Sequence, residues 1–244
     1  MTNRVEHVMG FPVSFDIRDD EPTLDEAVDW AVDWLVDVDH RFSPFLDDSE
    51  VSRFDRGELT NSELSPDLTY VINVCQDYET RTGGAFSARL PGHGFDPCAV
   101  VKGWAVQRAA DMLEFAGARN FCVNAGGDVV VRGEPEPGKP WRVGIRHPDD
   151  ARMLCAVLEV RHGAVATSAA YERGAHIVDG RTGWPATELL SVTVLADDLT
   201  IADTTATAAF AMGSAGVQWA AAEPGCEILA IDAQRRVFRS TGLS

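Results

Sequence analysis

Between residues 120 and 196 the chain breaks into short apolar stretches, at 120–124, 128–132, 141–146, 154–161, 164–168, 175–178 and 190–196, separated by turn residues. Their length and spacing predict hairpin-like strands. Helical patterns lie on either side of them. Thr23-Leu-Asp-Glu26 has capping-box spacing and opens a helix to about Val38, with Leu24, Ala27, Val28, Ala31, Val32 and Leu35 on one face. Ser65-Pro66-Asp67 starts a second helix that stops at Gly83-Gly84, and a third runs from about Ala99 to Phe115. Helices at 200–212 and 215–222 and a hairpin over 227–239 close the chain, and residues 8–17 alternate as one strand. Helices among hairpin-like strands, without regular βαβ alternation, predict an α+β fold of antiparallel sheet and helices. The Glu134-Pro-Glu-Pro-Gly138 stretch reads as a loop, so residues 1–244 are expected to form a single domain.

A net charge of -17 argues against a nucleic-acid or anionic-membrane partner, which would need a basic footprint. An anionic small molecule would need a local cluster of cations and backbone N–H groups. The sequence has no membrane-length apolar run, and its first residues carry no export signal. The 5 cysteines are scattered, without a Cys-x-x-Cys pair, so neither a disulfide framework nor a zinc site is expected. A reducing cytoplasm is the expected compartment.

The chemistry concentrates in a few motifs. Asp203 and Thr207 lie four residues apart in Thr200–Gly213, which on a helix puts both on one face. A carboxylate and a hydroxyl so placed offer hard oxygen donors to a cation such as Mg²⁺. Thr200-x-x-Asp203 equally reads as an N-cap with a carboxylate in the first turn. Phe95-Asp-Pro-Cys-Ala-Val-Val-Lys-Gly-Trp104 puts Lys102 near a helix start, which suits an anion, or leaves it a surface lysine. Gly103 makes room for a ligand or another backbone. Asn124-Ala-Gly-Gly-Asp128 is a phosphate-suited nest or an ordinary hairpin turn. His176, at a strand end before Asp179-Gly-Arg181, is a base, a ligand contact or a structural residue, and Arg181 a possible charge clamp.

In this order, together with Met9-Gly10, Phe42–Arg53, Thr82-Gly-Gly-Ala-Phe86, Ala166-Thr-Ser168 and Ser191–Val194, these blocks make the sequence similar to the ApbE-type FAD:protein FMN transferases over nearly its whole length. The resemblance implies a fold of two interlocked similar halves (T-fold type). It implies a Mg²⁺-dependent enzyme that splits FAD, transfers FMN to a Thr or Ser hydroxyl of an acceptor flavoprotein, and releases AMP. By the same resemblance Asp203, Thr207 and the carbonyl of Ala99 are the metal ligands. Asp96 and Lys102 contact FAD, as do Met9, Phe45, Ala85, Phe86 and Ile177. Asn124, Gly126 and Gly127 form the turn against the nucleotide, and His176 lies near the flavin as the candidate for proton transfer. Phe11 stands where a Thr commonly follows Met-Gly, and Gly180 where a Pro follows Asp179, departures that bear on ligand affinity and acceptor choice. The rival expectations are an FAD pyrophosphatase giving FMN and AMP, and a non-catalytic FAD-binding protein.

Overall fold

The computed structural model describes residues 1–90, 92–173 and 177–243. The chain opens with β1 (Thr2–Val8) and β2 (Phe11–Ile17). Helices α1 (Thr23–Phe42), α2 (Glu50–Asp55), α3 (Pro66–Arg81) and α4 (Cys98–Phe115) follow. The middle is built of β3 (Phe121–Ala125), β4 (Asp128–Arg132), β5 (Trp141–Arg146), β6 (Leu154–Val160) and β7 (His162–Ala169). The short α5 (Ala170–Arg173) leads to β8 (Val178–Asp179), β9 (Trp184–Pro185) and β10 (Leu189–Ala196). Helices α6 (Leu199–Met212) and α7 (Ser214–Ala221) precede β11 (Glu227–Asp232) and β12 (Val237–Arg239).

Among the described residues, eight strands form one antiparallel sheet in the order β1-β2-β3-β4-β7-β10-β11-β12. It divides into two four-stranded meanders joined where β4 pairs with β7. Each meander carries a helical insert between its second and third strands: α1–α4 between β2 and β3, and α6–α7 between β10 and β11. The expected α+β architecture is thus present, and the alike chain order gives two similar halves.

Alternation along each strand decides the layers. Phe15, Val123, Val130, Ala166 and Val194 face the helices and join the main core. Their neighbours Val129, Val131, Val165 and Leu229 face the other way, where the β5–β6 hairpin covers them with Trp141, Val143 and Ile145. Strand β4 is buried on both faces, which explains its unbroken apolar run.

Two expectations need correction. Residues 8–17 are not one strand: Met9 and Gly10 take positive φ values of 57 and 80° and turn β1 back onto β2. A two-residue turn with both φ positive matches the twist of a hairpin, but a Met there gives no local signal of it. The Thr23–Glu26 capping box does not form. Pro22 occupies the cap position without a side-chain bond, and Thr23 is already helical. That helix also runs past Val38 to Phe42, because the buried spacing Leu35, Val38, Phe42 continues beneath the polar Asp39-His40-Arg41.

Candidate active site at the junction of the halves

Helix α6 supplies the carboxylate. Its N-cap is Asp198, whose side chain accepts from the Ile201 N–H at 3.2 Å. Thr200 therefore does not cap, and Asp203 lies beyond the first turn, only 5% exposed. Burial of an ionisable side chain away from any capping duty needs another cause. One turn on, the Thr207 hydroxyl shares a hydrogen bond of 3.0 Å with Ser168 of β7.

Gly103 brings α4 against this helix. A Cβ there would stand 2.6 Å from the Leu199 carbonyl oxygen and 2.8 Å from the Asp203 Cβ. The glycine thus makes room for a backbone rather than a ligand, and the contact seats Asp203 beside the start of α4. Lys102, the preceding residue, is not a solvated surface lysine. Its ammonium pairs with Asp128 and lies 3.8 Å from Asp203 Oδ1.

Asp128 reaches that position through the turn before it. Gly126 and Gly127 adopt φ values of 61 and 107° and close the β3–β4 hairpin. Asn124 Oδ1 accepts from the Gly127 N–H at 3.0 Å, and the Gly126 N–H donates to the Pro12 carbonyl at 3.0 Å. The Gly126 position also abuts Phe11: an added Cβ would lie 3.3 Å from its ring. The turn is therefore a hairpin turn that packs onto the β1–β2 corner. Beyond it Asp128 is 2% exposed, and its Oδ1 accepts from the Thr167 N–H at 3.0 Å.

These elements enclose a cleft of about 970 Å³ between the two halves. Asp203, Thr207, Ala99, Lys102 and Asp96 line it, as do Phe86, Ile177 and Gly126. The other expected residues that the structure describes are not on its wall. Phe45 is 86% exposed on the loop after α1, whereas Ala85 is fully buried with its carbonyl accepting from the Gly180 N–H at 2.9 Å. Met9 forms the β1–β2 turn, where its N–H donates to Asp39, and the Asn124 side chain and Gly127 serve the hairpin. His176 lies outside the described residues. Arg181 is held by Asp179 through bonds of 2.8 and 2.7 Å rather than facing the cleft. That guanidinium holds the Asp179 carboxyl below the usual carboxylate range.

Sequence reasoning missed four residues that matter here. Asp128 directly follows the Gly-Gly turn, a signal available in the sequence. Ser168 is visible only as part of Ala166-Thr-Ser168. Thr167 bridges to Thr193 at 2.8 Å. Arg146, at the end of β5, lines the cleft and stacks its guanidinium 4.7 Å from the Tyr171 ring centre. Nothing local to Arg146 marks it.

The donor chemistry fits a hard divalent cation. Asp203 and Thr207 bring a carboxylate and a hydroxyl, both hard oxygen donors, to the lining of the same cleft as Ala99. Among the described residues no three His, Cys, Asp or Glu side chains gather as a metal cluster, so the set does not resemble a zinc site.

The ApbE family model matches residues 9–90 and 87–230. An FAD:protein FMN transferase of Vibrio cholerae is 34% identical over 147 residues, 56% of this chain and 44% of that protein. One from Rhodobacter capsulatus is 38% identical over 138 residues, 53% of this chain and 26% of that protein. The match thus spans less than half the length of either relative. The solved ApbE protein of Thermotoga maritima superposes with a TM-score of 0.83 at 23% identity, covering 99% of this chain and 97% of that one. The flavin transferase ApbE of Vibrio cholerae gives 0.81 at 25% identity, with the same coverage. With its family match running through both halves and the cleft between them, this chain belongs to the ApbE family.

Proposed function

We propose that the chain is a Mg²⁺-dependent FAD:protein FMN transferase, moving FMN from FAD to a Thr or Ser hydroxyl of an acceptor flavoprotein and releasing AMP. The observation that carries this reading is the convergence of Asp203, Thr207, Ala99, Lys102 and Asp96 on one cleft large enough for a dinucleotide. The names of the relatives point the same way.

Asp203, Thr207 and the Ala99 carbonyl would hold Mg²⁺, which when bound neutralises charge on the diphosphate. The chain's own residues do the rest by position and charge, as phosphoryl transfer requires. Lys102 presents a fixed cation beside the buried carboxylates. Asp96, its Oδ1 fixed by the Cys98 N–H at 2.9 Å, orients polar groups of the ligand. Phe86 and Ile177 give the cleft apolar wall for a ring. A bond forms between the acceptor oxygen and the FMN phosphorus, the phosphoanhydride to AMP breaks, and the hydroxyl proton leaves. We assign that proton to His176, on the resemblance alone. We also propose a cytoplasmic setting, in keeping with Cys75, Cys122, Cys155 and Cys226, which form no disulfide. No described helix is long and apolar enough to cross a membrane.

The test is incubation with FAD, Mg²⁺ and a candidate acceptor, followed by flavin fluorescence on a denaturing gel. A fluorescent acceptor band with stoichiometric AMP is expected. AMP and free FMN without any adduct would make the protein a pyrophosphatase, and bound FAD without AMP would make it a binder.

A further inference from the structure

Lys102 stands within reach of two buried carboxylates, in contact with Asp128 and 3.8 Å from Asp203. An ammonium and a metal ion compete for the same carboxylate oxygens, and the competition sharpens as charges leave water. We propose that Asp128 is a positioning residue: it holds Lys102 at the outer limit of ion-pair distance from Asp203 and so favours a divalent cation over the ammonium at that carboxylate. This rests on the metal-dependent reading above.

Three observations carry it. Asp128 is not on the cleft wall, so it acts on the ligand only through another group. Its direction is fixed, because Oδ1 accepts from the Thr167 N–H where β4 pairs with β7. Its other oxygen, Oδ2, is the one that meets Lys102. A side-chain bond between the two halves, just past the end of that pairing, therefore fixes the carboxylate that holds the ammonium. Lys102 is held against Asp128 and stays 3.8 Å from Asp203 Oδ1.

A double-mutant cycle tests this, with Mn²⁺ titrated into the whole protein and free ion read by electron paramagnetic resonance. Asp128→Asn keeps an acceptor for the Thr167 N–H but removes the charge that holds Lys102. It is expected to weaken Mn²⁺ binding about tenfold or more, because an ammonium released within reach of Asp203 competes with the cation at low local dielectric. Lys102→Met alone is expected to change the affinity little. Lys102→Met added to Asp128→Asn is expected to restore most of the loss, since the competing ammonium is gone. A purely structural role for Asp128 would give no such rescue. Should Lys102→Met raise affinity by one common factor in both backgrounds, Asp128 contributes only its charge and the proposal fails. Should Asp128→Asn not fold, a large gain from Lys102→Met in the natural background overturns the proposal by itself, and unchanged affinity supports it. Absence of Mn²⁺ binding by the unaltered protein would overturn both this inference and the metal-dependent reading.

Discussion

Two aspartates five residues apart at α6 stand in different surroundings. Asp198 accepts the Ile201 N–H and closes the start of α6, which leaves Asp203 without that duty and buried at the cleft. Asp198→Ala is expected to cost about 1 kcal/mol of stability, as loss of a cap does, with cation affinity retained. Asp203→Ala is expected to abolish Mg²⁺-dependent turnover while the chain stays folded. Urea denaturation and flavin transfer, measured on both variants, read the two effects apart. A swapped pattern would return Asp203 to a structural part. In the sequence this distinction is invisible, because Thr200-x-x-Asp203 satisfies the capping pattern as well as Asp198 does. Only the place where the helix starts decides it.

At the scale of elements, the site depends on how closely α4 approaches α6. Replacing a helical glycine by alanine normally gains about 0.5–1 kcal/mol through backbone entropy. At Gly103 the added carbon would instead meet the Leu199 oxygen at 2.6 Å and the Asp203 Cβ at 2.8 Å. Overpacking of that kind costs about 1–3 kcal/mol, so the clash decides the sign. Gly103→Ala is expected to lower the melting temperature and cation affinity together, and a stabilised variant would refute the packing account. The β8–β9 hairpin offers a second test. Asp179, held below its usual range by Arg181, contributes stability above its unfolded pKa of about 3.9 that is lost as pH falls through its lower folded value. Asp179→Asn is therefore expected to flatten the acid limb of a stability–pH curve and leave its slope near neutrality unchanged. Elements with strong punctuation were legible: Ser65 does cap α3, accepting from the Leu68 N–H at 3.1 Å. The β1–β2 turn was not, because Met9 adopts a backbone region its residue type rarely visits. Thr23 misled because Pro22 took the cap position.

For the whole molecule, the absence of βαβ alternation was enough to give antiparallel sheet and helices, whereas the pairing of β4 with β7 was not readable. That pairing creates the cleft, and it joins residues as distant as Asp96 and Thr207. Chain-distant neighbours such as Arg146 and Tyr171 leave no periodic trace, which is why the sequence yields the cleft residues on α4 and α6 but not Arg146. A molecule of net charge -17 also repels itself. Raising salt from about 0.01 M to 0.15 M shortens the screening length from about 30 Å to 8 Å, so the melting temperature is expected to rise across that range. A fall would mean that the ion pairs outweigh the repulsion. The most direct test of the account is an anomalous-scattering map of crystals soaked with Mn²⁺ and FAD. The account requires a peak at coordination distance from both Asp203 and Thr207, against the diphosphate. A peak elsewhere, or an Asp203 carboxylate with no ion beside it, would contradict it.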